Sequence, residues 1–114
     1  MNDELRLQVF FYRTAGGAEP VREWLKALPP EERKIIGDDL KTAQFGWPLG
    51  MPLIRKLETD LWEVRSRSPH RIARVIFTVE GNRMVLLHGF IKKSQKTPVE
   101  DLQLARQRLK ALRG

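Results

Sequence analysis

The chain contains no cysteine. That absence excludes disulfides, iron–sulfur clusters, thiol nucleophiles and zinc–thiolate sites. Histidine is nearly as scarce, with only His70 and His88. Two imidazoles are too few for a conventional transition-metal cage, so neither a metal nor a cofactor is expected. The single tyrosine is Tyr12, far from the C-terminus. No window approaches the ~18 consecutive apolar residues of a membrane span. The opening MNDELRLQVFFYR places acids before a polar–apolar alternation, unlike a signal peptide. A cytoplasmic protein without a membrane partner is therefore expected. The phosphate-loop pattern GxxxxGKS is missing, as are GxGxxG, HExxH and GxSxG. No carboxylate spacing suggests a glycosidase pair.

What the chain does have is positive charge in one place. Its 114 residues fit one domain, taken as residues 1–114. Lys plus Arg number 21 and Asp plus Glu 14, a net charge of +7. Residues 1–53 hold seven basic and eight acidic side chains, whereas residues 54–114 hold fourteen and six. The whole surplus lies in the second half. Clustered basic residues at a pI near 10.3 are the electrostatic footprint of a nucleic-acid binder.

Periodicity gives the elements. Residues 5–13 alternate, with Leu5, Leu7, Val9 and Phe11 on one face of a strand. Val21, Trp24, Leu25 and Leu28 form a helical stripe after Pro20, and Pro29-Pro30 ends it. A second helix starts at Pro30 with Glu31 and Glu32 near its positive end. Its stripe is Ile36, Leu40 and Ala43, and Gly46 is its expected C-terminal cap. Gly37 inside it costs roughly 1 kcal/mol relative to alanine. A loop covers Trp47 to Pro52. Two hairpins follow, over 53–67 and 71–92, the second turning at Glu80-Gly81-Asn82. Thr97-Pro98-Val99-Glu100 reads as a capping box, with Thr97 as cap and Pro98 in first position. The helix it opens carries Leu102, Ala105, Leu109 and Leu112 on one stripe. The expected fold class is α+β, in the order β-α-α-β-β-β-β-α. It has a single, mostly antiparallel sheet with two N-terminal helices on one face and a C-terminal helix.

Strict alternation assigns faces. Ala73, Val75, Phe77 and Val79 share the helix-covered face with Val85, Leu87, Gly89 and Ile91, and with Trp62 and Val64. The opposite face then carries Glu63, Arg65, Arg67, Ile72, Arg74, Ile76, Met84, Leu86, His88, Phe90 and Lys92. Its apolar part, Ile72, Ile76, Met84 and Leu86, should be covered by the last helix or a partner. Its cationic part should line a concave surface. Lys92, Lys93 and Lys96 follow just before a helix N-terminus, a position that favours phosphate.

The runs LETDLWEVR (57–65), RIARVIFTV (71–79) and LLHGFIKKSQKTP (86–98), followed by a helix containing Ala105, resemble the RelE/ParE superfamily of toxins. The phage-derived, HigB-like branch is the nearest match, and the resemblance runs from about residue 6 to residue 112. It implies the toxin of a type II toxin–antitoxin module. Its partners would be a cognate antitoxin, of the small helix-turn-helix kind, and mRNA on the ribosome. The implied activity is metal-independent endoribonuclease action that inhibits translation, an mRNA interferase. In it the ribose 2′-hydroxyl attacks the adjacent phosphate. Arg65 and Arg74 would neutralise the phosphate oxygens and Lys92 the developing charge. His88 is the acid–base candidate. Arg55, Lys56, Arg67, Lys93 and Lys96 would grip flanking phosphates. Some members use a C-terminal tyrosine or aspartate, and this chain has neither after Asp101. ParE-like relatives poison DNA gyrase without cutting RNA, which is the alternative reading. A phage-derived nucleic-acid-binding module without toxicity is a third.

Overall fold

The computed structural model describes residues 7–48, 50, 52–93 and 95–114. Leu5 and part of the 47–52 loop lie outside the described residues. The elements are β1 (Gln8–Phe11), α1 (Pro20–Ala27), α2 (Pro30–Gly46), β2 (Ile54–Glu58), β3 (Leu61–Arg67), β4 (Ile72–Glu80), β5 (Arg83–Ile91) and α3 (Val99–Arg113). The strands form one sheet in the order β1-β5-β4-β3-β2. The β1–β5 pair is parallel and the others are antiparallel. This is the expected α+β order and class.

Proline fixes where α1 and α2 begin, because each opens with one in its first turn. Gly46 is the last residue of α2 rather than a cap beyond it. The two helices cover one sheet face. Their Val21, Ile36, Leu40 and Ala43 pack with Val64, Val75 and Phe77 of β3 and β4. Trp47 meets Trp62 edge-on, with ring centroids 5.1 Å apart, and also meets Phe77 at 5.7 Å. Gly89 is what lets α1 sit this close. A Cβ there would fall 2.3 Å from Cε3 of Trp24. Gly81 turns the β4–β5 hairpin at φ 63°.

The opposite face is covered by α3. Ala105, Leu102, Leu109 and Leu112 pack on Leu61, Ile76, Val85, Leu87 and Phe90, together with Tyr12. Strict alternation fails along β5. Its register with β4 shifts between Ile76 and Phe77, pairing Ile76 with His88 but Phe77 with Leu86. Leu87 is the extra residue of a β-bulge. One inserted residue exchanges the faces of everything on one side of it. Met84 and Leu86 therefore join the α1–α2 core, and Val85 and Leu87 join the α3 core. Gly89 and Ile91 keep their expected side. Of the apolar strip expected on the open face, Met84 and Leu86 thus join the α1–α2 core and Ile76 the core under α3, while Ile72 is half-buried and lies in neither.

Candidate nucleic-acid interface

The sheet register lays the polar side chains of the α3 face in rows. One row runs Arg55, Glu63, Ile76, His88 across β2 to β5, and the next runs Arg65, Arg74, Phe90. A third pairs Arg67 with Ile72, whose carbonyl accepts the Lys92 N–H at 2.7 Å. Arg65 and Arg74 are directly opposed, an unfavourable pairing of like charges. Glu63, diagonal to Arg74, offsets it.

Glu63 and Arg74 are both 0% exposed. Arg74 Nε lies 3.4 Å from Glu63 Oε1, an ion pair without hydrogen-bond alignment. Arg74 Nη1 donates to Thr97 Oγ1 at 3.2 Å and Nη2 to the Gln95 carbonyl at 3.0 Å. The Thr97 hydroxyl in turn donates to Glu63 Oε2 at 3.3 Å. Two expectations change here. Arg74 belongs to the floor under the basic surface rather than to the surface itself. Thr97 spends its hydroxyl on this network instead of capping α3, which starts at Val99 after Pro98 with no side-chain cap. Burial pushes the Glu63 carboxyl above its usual range, against the pull of Arg74, the Thr97 hydrogen bond and the more distant Arg55 and Arg65. Burial also lowers Arg74, opposed by Glu63 and reinforced by Arg65 and Arg55.

Above this floor the charge is one-sided. An open groove of about 610 Å³ is lined by Arg67, His70, Arg71, Lys92, Lys93 and Gln95, among others. Arg71 is held bidentately by Glu32 of α2, with Nη2 at 2.8 Å and Nε at 3.0 Å from Oε1. By contrast, Arg65, Arg67, Lys92 and Lys93 form no ion pair with a carboxylate of the described residues. The Lys92 ammonium is lowered from its usual range by desolvation first, then by repulsion from Arg74, Arg65 and Arg67. A lysine crowded by three arginines marks a positive field that an anion would relieve.

The other candidates are placed as follows. Arg55 is exposed and flanks Glu63. Lys96 is exposed on the segment beside Gln95. Lys56 lies on the other sheet face, with Nζ 5.9 Å from the centre of the Trp62 ring. His88 is apart from the groove, four residues before Lys92, or about 13 Å at the ordinary strand rise. Its Nε2 lies 2.6 Å from Asp101 Oδ1 of α3. Its Nδ1 faces Arg108 Nη1 at 3.5 Å, and the ring stacks on Phe90 at 5.5 Å. Arg108 also donates to the Leu87 carbonyl at 2.8 Å. Both ring nitrogens of His88 are thus engaged by α3. The reading from sequence missed Gln95, Thr97 and Asp101 as partners, and His70 and Arg71 as groove residues. The one available signal was Pro69, which puts His70 and Arg71 at the turn between the two hairpins.

A sequence model of the family described as "Phage derived protein Gp49-like (DUF891)" matches residues 23–110, from within α1 to near the end of α3. No curated protein matches the chain.

Proposed function

The chain belongs to the Gp49-like phage-derived family, a family of RelE/ParE-like toxins, and from that premise we propose that it is the toxin of a type II toxin–antitoxin module that cleaves mRNA on the ribosome. Within the superfamily we assign it to the HigB-like branch, on the segment LLHGFIKKSQKTP. One observation carries the reading: Arg67, Lys92 and Lys93 line one groove, Arg65 lies two residues from Arg67 on β3, and none of the four forms an ion pair with a carboxylate of the described residues.

The chemistry follows from these four cations. The ribose 2′-oxygen attacks phosphorus, its bond forms and the bond to the 5′-oxygen breaks. The products are a 2′,3′-cyclic phosphate and a 5′-hydroxyl. The 2′-hydroxyl loses its proton to solvent water, and the leaving oxygen gains one from Lys92, which solvent then reprotonates. Arg65 faces the non-bridging oxygens, where a planar guanidinium grips two at once. Lys92 serves as cation and as proton donor to the leaving oxygen, since desolvation and the neighbouring arginines make its ammonium more acidic than an ordinary lysine. Arg55, Arg67, Lys93 and Lys96 bind flanking phosphates. Glu63 and Arg74 act as positioning residues, through the hold of Arg74 on Gln95 and Thr97. His88 fixes α3 to the sheet.

The test is purified protein mixed with ribosomes programmed with a defined mRNA. Cleaved mRNA ending in a 2′,3′-cyclic phosphate supports the reading. Intact mRNA at toxin excess, with gyrase inhibited in a parallel assay, would replace it with the ParE-like alternative.

A further inference from the structure

A second recess, of about 310 Å³, opens beside Arg67, between α2, the segment before β2, and β3. Arg67 lines both this recess and the cationic groove, so the two adjoin. The walls of the second differ from those of the first. Ile35 of α2 and Pro52 and Leu53 before β2 are apolar, Arg65 and Arg67 of β3 are cationic, and Asp39 of α2 is the one carboxylate among the lining residues.

Local structure brings these side chains together. Ile35 and Asp39 stand four residues apart on α2 and so share a face. That face lies beside the stripe of Ile36, Leu40 and Ala43 that enters the core. The Arg65 N–H donates to the Leu53 carbonyl at 2.9 Å, which fixes the segment before β2 against β3. Ser66, between the two arginines, is buried, and its hydroxyl donates to Asp39 Oδ2.

Asp39 is thereby anchored without being neutralised. Two arginines line the same recess, yet Asp39 forms no ion pair among the described residues. Its Oδ1 has no hydrogen-bond partner among them either. A half-buried carboxylate held in this way presents fixed acceptors to N–H groups of a ligand.

A nucleobase fits that arrangement. Its flat faces can lie against Ile35, Leu53 and the Arg67 guanidinium while its edge is read by hydrogen bonds. The Watson–Crick edge of guanine carries two adjacent donors, N1–H and the N2 amino group, which one carboxylate can accept together. Uracil sets a single N–H between two carbonyl oxygens, which a carboxylate repels. We infer that this recess holds the base next to the phosphate gripped by Arg65, and that Asp39 reads that base and selects guanine. The inference rests on the mRNA-cleavage reading above and deepens it by naming the base and the residue that chooses it.

Two probes separate the inference from the reading beneath it. The first needs no ribosome: the free protein is titrated with the RNA pentamers UUGUU and UUUUU. UUGUU should bind about tenfold tighter, the scale of one good base contact. Asp39→Asn keeps the side-chain volume and an acceptor for Ser66 but turns one oxygen into a donor, so the difference should vanish. Ser66→Ala removes only a hydroxyl and leaves Asp39 unanchored, so the difference should narrow. Equal binding of the two pentamers by the unmodified protein would overturn the inference, as would a preference that Asp39→Asn leaves intact. If Asp39→Asn fails to melt cooperatively, a preference undiminished in Ser66→Ala overturns it instead. The second probe is a ribosome programmed with mRNAs that carry guanine or uracil at the cleavage position. Cutting should be about tenfold faster at guanine, and Asp39→Asn should level it. Equal cutting by the unmodified protein removes only the base site. Uncut mRNA beside an intact pentamer preference removes the nuclease reading and leaves guanine recognition standing.

Discussion

Replacing Arg74 with alanine leaves the Glu63 carboxylate buried and alone. The pair has no exposed surface, so water cannot substitute for the lost guanidinium. Removing one partner of a buried ion pair typically costs about 3–5 kcal/mol. The Thr97 hydroxyl and the Gln95 carbonyl lose a donor as well. At roughly 3–6 °C per kcal/mol for a chain of this size, Arg74→Ala should lower the melting temperature by roughly 10–30 °C. The pH dependence has a definite sign. Glu63 already titrates above the usual carboxylate range because of burial, and losing Arg74 removes an opposing attraction. The folded variant then holds a proton that the unfolded chain has released. The penalty is therefore small below the unfolded glutamate value and grows as pH rises through the native one. The double substitution Glu63→Gln with Arg74→Met should recover most of the loss, since a neutral pair of similar volume carries no buried charge. Thermal unfolding by circular dichroism at several pH values is the assay. A melting temperature for Arg74→Ala within about 3 °C of the parent at neutral pH would refute the buried-pair argument.

Arg65→Ala should abolish growth arrest with little change in melting temperature, losing roughly 10²–10³ in cleavage rate, and Arg65→Lys should rescue poorly; full toxicity removes Arg65 from the site. The same Arg65→Ala change should raise the Lys92 titration midpoint, followed by NMR of the lysine side chain, because it removes one of the arginines repelling that ammonium; an unmoved midpoint would contradict the clustering. Gly89→Ala should destabilise the fold by about 1–3 kcal/mol in denaturant unfolding, since its Cβ would collide with the Trp24 ring. RNA affinity should fall steeply with salt, with a log–log slope set by the phosphates contacted; a salt-independent affinity would count against the groove.

The elements were legible where local chemistry fixes them. Prolines at 20 and 30, Gly81 and the stripes of Val21 and Ile36 need no distant partner to be read. Faces were legible only as far as strict alternation holds. The bulge at Leu87 is set by how β5 pairs with β4, and it reversed the faces of Met84 to Leu87. The basic surface was foreseen from Arg65, Arg67, Lys92 and Lys93 because charge and strand order already place them. Arg74 looks the same in sequence. Its burial depends on a diagonal glutamate and on Gln95 and Thr97, more than 20 residues away. His88 differs for the same reason, since Asp101 and Arg108 come from α3 and no local pattern announces them.

The most direct test of the central claim is to induce the protein in cells and map mRNA 5′ ends across the transcriptome, with Arg65→Ala induced in parallel and DNA breaks scored in the same cultures. The account predicts discrete new 5′-hydroxyl ends within translated frames, absent from the Arg65→Ala culture, with DNA intact. Intact mRNA accompanied by double-strand DNA breaks would contradict it.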